Sequence, residues 1–276
     1  MIFKGVDFAS VDLDNCHLEP IHIPGYIQPH GLIFALDFHG RLTHVSRGAH
    51  HTLPGLPSLG AFWPVSSTGM HPGLWTAVTT ALTDEKTGQE SAPLNLQVES
   101  GDSVFDAVIH VNDDRLIVEL ERRASVPIDL AAFALLAQHS MDQLRNRKDI
   151  ATLLREAVST VRQLTGFDRV MAYRFDQDDS GEVVTEECLP TLEPFLHRRF
   201  PASDIPPQAR ALYVRNPLRL IADVDDRQVP INAQDATARP LDLTYSVLRS
   251  VSPIHIEYLR NIHVQASMSL LAPTEN

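Results

Sequence analysis

The chain has 276 residues, of which 43% are hydrophobic and 21% are charged, and its formal net charge at pH 7 is −12. This length suits one large domain or, as we expect, two ordinary ones, and the composition is that of a globular protein. The negative charge, with basic residues scattered singly, argues against nucleic acid as a partner. No apolar run could span a bilayer and the N-terminus lacks a secretory signal, which predicts a cytoplasmic protein with no membrane partner.

Two cysteines lie far apart in the chain and form no CxxC pair. This spacing favours neither a disulfide framework nor a cysteine-rich zinc site, so we predict no metal. Cys188 falls in the strand-like segment EVVTEECL, where a packing role is the simplest explanation. Cys16 lies in the stretch NCHLEPIHIPGYIQPHG, beside histidines and prolines, and needs an explanation of its own.

The first half of the chain predicts an α+β module of antiparallel strands. Residues 32–36, the turn DFHG and the segment RLTHVS predict a hairpin, and the segment HPGLWTAVTTALTDE has apolar residues at helical spacing. Alternation over residues 104–111 and the segment RLIVELE predict two more strands. The proline-containing segment RRASVPID then predicts a domain boundary near residue 125.

The second half predicts another α+β domain. Two helices are expected over LAAFALLAQHSMDQLRNRK and DIATLLREAVSTVRQLTG, followed by the strands DRVMAYRF, GEVVTEECL and VQASMSLL. Further helices are expected after PASDIPP and after VSP. Residues 222–246 are long and weakly periodic, and a loop of that length is usually functional or held in place by other contacts.

The segment VSPIHIEYLRNIH has two interpretations. Ser252 and Pro253 suit the N-cap and the first helical position, so the segment could simply be a helix start. In the second interpretation, His255 lies in the first turn, where the helix dipole disfavours imidazolium, and Tyr258 shares its face of the helix. That arrangement would give a neutral, oriented imidazole. A single histidine is most often structural, so both interpretations stay open at this point.

A cleft suited to carboxylates is predicted near the same helix. Ser267 and Ser269 are two residues apart in a predicted strand, so both hydroxyls project to one face. Arg249 lies just before the helix and Arg219 lies in NPLRLIADV, and both could supply guanidinium groups to this cleft. Arginines together with hydroxyl groups are well suited to bind carboxylates.

Five strings occur in a characteristic order and spacing: CHLEPIHIPGYIQPHG, LIVELE, GFDRVMAYRFDQDDSGEVV, RRFPASDIPPQARALY and LRSVSPIHIEYLRN. With them the chain resembles, over nearly its whole length, the PAS and GAF domains of bacteriophytochromes. The resemblance implies an N-terminal segment at 1–20, a PAS domain at 21–124 and a GAF domain at 125–276, each domain an antiparallel sheet with flanking helices. It also implies a figure-eight knot, in which the N-terminal segment passes through a lasso at about 222–250 with Ile27 near the crossing.

The resemblance further implies a cofactor. In the family, biliverdin IXα, a linear tetrapyrrole, lies in the GAF pocket and is joined by a thioether to a cysteine upstream of the PAS domain, where this chain has Cys16. Ile254 stands where phytochromes that bind phycocyanobilin have a cysteine, which favours biliverdin on Cys16. The implied function is red and far-red light sensing through photoisomerisation of the bilin. The protein would tune the pigment, so we expect no enzyme and no catalytic residue.

The resemblance assigns roles position by position. Asp204 would face the pyrrole nitrogens through its backbone carbonyl, although taken alone it is most simply a helix cap. His255 would hold an ordered water, aromatic side chains would line the tetrapyrrole, and arginines with serines would hold the propionates. The implied cofactor-binding residues are Cys16, Tyr173, Phe200, Asp204, Ile205, Tyr213, Arg219, Arg249, His255, Tyr258, Ser267 and Ser269.

Two departures from the family pattern stand out. His263 replaces the glycine that is usual in RNIHV, and the chain ends soon after the strand that contains Ser267. In the family, further strands, a histidine near ring D and a closing helix follow, so we expect an incomplete GAF domain with an exposed sheet edge. The family's PHY domain and kinase output are likewise outside this chain. An output kinase or response regulator, and a homodimer, are the protein partners that the resemblance suggests.

Two other functions remain as alternatives. Cys16 with a histidine base could perform acyl transfer, but no oxyanion or metal constellation accompanies the pair. A pigment-free PAS and GAF module that binds a cyclic nucleotide or a partner protein is the second alternative. A chain that stays colourless with biliverdin would favour the latter.

Overall fold

A computed structural model of the protein describes residues 19–87, 94–123, 130–145, 149–235 and 237–271. Cys16 lies outside the described residues. The chain divides into two compact units, the first formed by residues 1–123 with 207–276 and the second by residues 124–206. Each unit is described by itself below.

The helices and strands follow one another along the chain as a mixed α and β series. Their bounds are β1 (Tyr26–Ile27), β2 (Gly31–Asp37), β3 (Leu42–Ser46), α1 (Ala49–Thr52), α2 (Pro72–Thr87), β4 (Leu94–Ser100), β5 (Ser103–Asn112), β6 (Arg115–Arg122), α3 (Leu130–Arg145), α4 (Ile150–Thr165), β7 (Arg169–Phe175), β8 (Gly181–Cys188), β9 (Arg199–Phe200), α5 (Pro207–Arg215), β10 (Leu218–Ile221), β11 (Val229–Ala233), α6 (Pro253–Asn261) and β12 (Ser267–Leu270).

A seven-stranded antiparallel sheet forms the centre of the first unit, in the order β1-β11-β3-β2-β6-β5-β4. The predicted hairpin, helix and two later strands are confirmed as β2–β3, α2, β5 and β6. Leu74, Val78 and Leu82 of α2 are buried against one face of the sheet, where Phe34 stacks on Trp63 with ring centroids 5.9 Å apart. The strands β1, β4 and β11 were not foreseen from the sequence pattern.

The opposite face of this sheet is covered by the segment that follows β11. Leu241, Leu243 and Leu248 pack there against Ile33 and Ile117. Both faces are therefore buried, which explains why β2 is an almost continuous apolar run rather than an alternating one. The expectation that the long, weakly periodic segment is held by other contacts is confirmed, since β11 pairs with β3 and the residues beyond it join this core.

Ile27 lies between the two ends of that segment. Its side chain is fully buried, and its backbone pairs with Val229 on one side and with Arg249 on the other. The neighbouring Gln28 donates through Nε2 to the carbonyl of Leu220 at 2.9 Å, and its Oε1 accepts from a backbone amide. A crossing at Ile27 would need such contacts on both sides; the knot itself stays a prediction.

The remaining part of the first unit consists of α5, β10, α6 and β12. Strands β10 and β12 pair antiparallel, and α6 packs beside them through Leu259, which joins a small core with Ile221, Val224 and Val251. The predicted helices after PASDIPP and VSP are thus confirmed as α5 and α6.

The second unit contains α3, α4 and a three-stranded sheet in the order β7-β8-β9. Helix α4 is capped at both ends: the Asp149 carboxylate accepts from the Thr152 amide at 2.8 Å, and Gly166 ends the helix with a φ of 73°. Within residues 130–206 as described, the apolar side chains that are buried are those of Val158 and Val183. The predicted helices and strands of this region are confirmed.

Candidate ligand site

The β10–β12 pair brings a guanidinium group and two hydroxyl groups to one face. Its register places Arg219 directly opposite Ser269 and Ile221 opposite Ser267. Directly opposed residues, and residues two apart in a strand, share a face of the sheet. The prediction that both serines share a face is therefore confirmed, and the register places Arg219 on that face as well.

Arg219 is oriented by the turn that precedes α6. Its two terminal nitrogens donate to the carbonyl oxygens of Arg249 and Ser250, at 2.7 and 2.9 Å. Burial lowers the pKa of Arg219 well below its usual value, and the positive charge of Arg249 lowers it further. The guanidinium is thus held in a place where its own charge is disfavoured.

Arg249 is in a similar position. One terminal nitrogen donates to the Ile21 carbonyl at 2.8 Å, while its buried Nε has no partner among the described residues. Burial lowers the pKa of Arg249 to about 10, despite the favourable influence of Tyr213 and Asp242. No described carboxylate forms an ion pair with either arginine. Two adjacent cations that have no direct ion-pair partner among the described residues favour an anionic ligand.

His255 lies in the first turn of α6 and its ring stacks on that of Tyr258, with centroids 6.1 Å apart and an interplanar angle of 12°. The pKa of His255 falls to about 4, chiefly because of burial and secondly because of the charge of Arg219. The expectation of a neutral, oriented imidazole is confirmed. The physical reason given from the sequence, the helix dipole, is corrected: burial and Arg219 account for the shift.

Ser252 occupies the N-cap position of α6, as predicted, but its side chain does not cap the helix. The hydroxyl donates instead to Oε2 of Glu19, at 2.6 Å. Glu19 is buried, and desolvation raises the pKa of its carboxyl group. The start of the described chain is therefore tied to the start of the helix that carries His255.

Four other expected pigment contacts, Tyr173, Phe200, Asp204 and Ile205, lie in the second unit, where Tyr173 and Phe200 belong to an aromatic cluster, while Tyr213 lies in α5 of the first unit. The Tyr173 ring lies 5.1 Å from Phe175 and 6.0 Å from Phe200, between centroids. It rests on Gly181, where an added Cβ would come within 2.2 Å of the ring. Asp204 closes a short 3₁₀ turn, Ala202–Asp204, and Ile205 follows it.

The buried polar residues that the sequence reasoning missed include Glu19, Gln28 and Glu119. A usable signal existed for Glu119, because a carboxylate flanked by Val118 and Leu120 in a strand buried on both faces needs a partner. Among the residues that the structure describes, no group of three or more His, Cys, Asp and Glu side chains could hold a metal ion. In the same residues, no helix has the length and apolar character needed to cross a bilayer.

Both halves of the chain are similar to known families. Residues 16–123 match the PAS fold and residues 149–272 match the GAF domain. A bacteriophytochrome from Pseudomonas aeruginosa is 41% identical over 266 residues, which are 95% of this chain and 35% of the relative. Cyanobacterial phytochrome B from Nostoc sp. is 39% identical over 271 residues, again 35% of its length. The chain thus spans about a third of these curated relatives.

Solved structures give a closer match in extent. The chromophore-binding domain of phytochrome P1 from Stigmatella aurantiaca is 40% identical, with a TM-score of 0.78 over 93% of this chain and 85% of that one. The chromophore-binding domain of an unusual bacteriophytochrome from R. palustris is 36% identical, with a TM-score of 0.77 over 93% and 84%. The chain therefore belongs to the bacteriophytochromes and corresponds to their PAS–GAF chromophore-binding region.

Proposed function

We propose that this region senses red and far-red light by binding biliverdin IXα through a thioether to Cys16. The observation that carries the proposal is the pair of cations at Arg219 and Arg249, neither of which forms an ion pair with a described carboxylate. A buried charge without a partner is costly, and two ligand carboxylates would remove that cost. Biliverdin has two propionate groups, so its charge and shape fit the residues present.

The arginines and serines would bind the propionates. Two of the donors of Arg219 are occupied by backbone carbonyls, which fix the plane of the guanidinium and leave its other N–H groups for a ligand. Charge-assisted hydrogen bonds of this kind are about twice as strong as neutral ones. Ser269, opposite Arg219, and Ser267 on the same face would add hydroxyl donors.

His255 would tune the pigment. When bound, biliverdin supplies the light absorption and the double bond whose isomerisation begins the signal. A neutral imidazole can accept a hydrogen bond from a water or a pyrrole N–H, and the stack on Tyr258 holds its plane. The aromatic cluster around Tyr173 would offer flat apolar surface to the tetrapyrrole, and Asp204 a backbone carbonyl.

Chain connectivity supports Cys16 as the attachment residue. Glu19 is the first described residue, and its carboxylate is hydrogen-bonded to Ser252, three positions before His255. Cys16 precedes Glu19 by three positions in the sequence. Cys188, the other thiol, is partly buried at the end of β8.

The test is covalent labelling with biliverdin. The wild-type chain should gain a red absorption band that red light bleaches reversibly, and zinc-induced fluorescence on a denaturing gel. Cys16→Ser should lose the fluorescence, while the matched control Cys188→Ser keeps it. The reverse pattern would contradict the attachment site, and a chain that stays colourless would favour the pigment-free alternative.

The protein partners are proposed more coarsely. Helix α3 exposes several large apolar side chains, including Phe133, Leu135 and Met141, which supports a homodimer. Sedimentation should show a dimer for the wild type and a monomer for Leu135→Asp. An output kinase or response regulator of the full-length family, and a cytoplasmic location, complete the proposal.

A further inference from the structure

Glu119 is a buried carboxyl group with a specific partner outside its own sheet. It lies in β6 with 3% of its surface exposed, and its Oε2 accepts a hydrogen bond from the backbone amide of Leu248 at 3.0 Å. Its other oxygen, Oε1, lies 3.7 Å from Nδ1 of His110 on the adjacent strand β5. One oxygen thus faces a neighbour within the sheet, while the other holds a distant segment of the chain.

The segment that Glu119 holds leads directly into the candidate ligand site. Leu248 is followed by Arg249, whose guanidinium is one of the two cations. The carbonyl oxygens of Arg249 and Ser250 are the acceptors that orient Arg219. A shift of the Leu248 amide would therefore move one arginine and the acceptors of the other.

The contact between this segment and the sheet is tight. Gly31 lies in β2, and a Cβ atom added to it would be 2.6 Å from the carbonyl oxygen of Leu120 and 2.6 Å from the methyl carbons of Leu248. Leu248 itself is 1% exposed. Because the side chain rests on bare backbone at Gly31, the position of Leu248 depends on the sheet at two points, its amide and its side chain.

We propose that Glu119 is a positioning residue for Arg219 and Arg249. A carboxyl group on the seven-stranded sheet would then determine how tightly the candidate site binds a pigment with two carboxylates. The inference rests on the proposed function, because it deepens the account of the same site. It assigns Glu119 no contact with the pigment. Its effect is exerted through the Leu248 amide and the carbonyls that follow.

Two substitutions separate the hydrogen bond from the volume of the side chain. Glu119→Gln keeps an acceptor oxygen for the Leu248 amide, whereas Glu119→Met has similar volume and no comparable acceptor. Gly31→Ala displaces the same segment from the side of Leu248. We therefore expect Glu119→Met and Gly31→Ala to displace the segment around Leu248, and Glu119→Gln to leave it in place.

The binding measurement uses biliverdin and its dimethyl ester as probes, in a Cys16→Ser background so that binding is reversible. If a displaced arginine loses one well-placed hydrogen bond to a propionate, the affinity for biliverdin should fall about tenfold. Glu119→Met should lower the affinity for biliverdin about tenfold and leave the affinity for the ester unchanged. Glu119→Gln should match the Cys16→Ser protein in its affinity for both pigments. Equal weakening of both pigments by Met would show a merely structural role and overturn the proposal.

A second measurement does not depend on any pigment. In the pigment-free protein, amide hydrogen exchange over residues 246–250 should be faster in Glu119→Met and in Gly31→Ala than in the wild type, and unchanged in Glu119→Gln. Unchanged exchange in Glu119→Met would overturn the positioning role. If the wild type bound neither pigment, the proposed function would fail, and the exchange result would still decide the role of Glu119.

Discussion

The two units of the chain differ most in how they use their sheets. The seven-stranded sheet of the first unit is covered on both faces by apolar side chains, while the three-stranded sheet of the second unit contributes Val183 as its fully buried apolar residue among those described. Tyr173, Phe175 and Phe200 of that smaller sheet contact one another but stay partly exposed.

The two units also differ in the kind of predicted site residue that each contains. The charged groups of the candidate site, Arg219 and Arg249, are next in sequence to Leu220 and Leu248, whose backbone groups are hydrogen-bonded to the buried side chains of Gln28 and Glu119. The aromatic cluster lies in a unit with little core of its own. The first unit thus holds its candidate anion-binding groups by hydrogen bonds, and the second unit presents a partly exposed aromatic surface.

A matched pair of phenylalanine substitutions tests most strongly whether the two units differ in their buried cores. Phe34→Ala, in the core of the large sheet, should lower the free energy of unfolding by about 3–5 kcal/mol, because it leaves a cavity beside Trp63. Phe133→Ala, on α3 where the side chain is 49% exposed, should cost less than about 1 kcal/mol. Urea titration followed by circular dichroism measures both, and equal losses would contradict the difference between the units.

The next effect concerns pH and the buried carboxyl group of the large sheet. Burial raises the pKa of Glu119 from 4.5 to about 7. Hydrogen bonds from residues 246–248 lower this pKa by less than burial raises it, and the charge of Glu121 raises it further. The facing His110 is neutral, because burial lowers its pKa to about 4. A raised pKa in the folded state gives stability that is fully present below pH 4.5 and is lost as the pH rises through about 7. The shift corresponds to about 3 kcal/mol.

Glu119→Gln should remove this pH dependence. Relative to the wild type, the variant should become more stable by up to about 3 kcal/mol between pH 4.5 and pH 9, since it no longer buries an ionised group. Other titrating groups, such as His44, are common to both proteins and cancel in the difference. A difference between variant and wild type that stays constant with pH would contradict the raised pKa.

Sequence patterns predicted the locally determined elements well. Helix α4 has its own caps at Asp149 and Gly166, and the β2–β3 hairpin has its own turn, so neighbouring residues suffice to specify them. Strand β11 was missed because it exists through pairing with β3, nearly 190 positions away along the chain. Such pairing depends on tertiary contacts, which a local pattern does not contain.

The candidate site was predictable in its residue types and less so in its physical causes. The shared face of the two serines followed from strand periodicity alone, whereas the place of Arg219 opposite Ser269 depends on the pairing of β10 with β12. The neutral state of His255 was right, but its cause, burial beside Arg219, required tertiary structure. The partner of Ser252 was missed for the same reason, since Glu19 is more than 230 positions away.

A smaller effect is expected at His255 once pigment is bound. His255→Ala should lower the pKa of the protonated pyrrole system, because the imidazole can no longer stabilise it by hydrogen bonding. A hydrogen bond to a charged group is worth about 1.5–3 kcal/mol, or roughly one to two pKa units. A pH titration of the red band measures the shift, and His263→Ala, on the exposed turn after α6, serves as the control. No shift in His255→Ala would refute the role.

The smallest effect concerns the turn itself. His263 has a φ of 58°, in the left-handed region that suits glycine, which gives a physical reason for the glycine usual at this position in the family. His263→Gly should therefore raise the free energy of unfolding by up to about 1 kcal/mol. Asn261→Gly, inside the last turn of α6, should lower it by about 1 kcal/mol. Thermal unfolding measures both changes, and a His263→Gly variant less stable than the wild type would contradict the prediction.

The central claim is that the two arginines bind the carboxylates of a bilin, and comparing the affinities of biliverdin and its dimethyl ester tests it most directly. In the Cys16→Ser background, we predict that biliverdin binds at least about tenfold more tightly than the ester. Arg219→Met and Arg249→Met should each reduce that preference, mainly by weakening biliverdin. Equal affinity of the unsubstituted site for the acid and the ester would contradict the account.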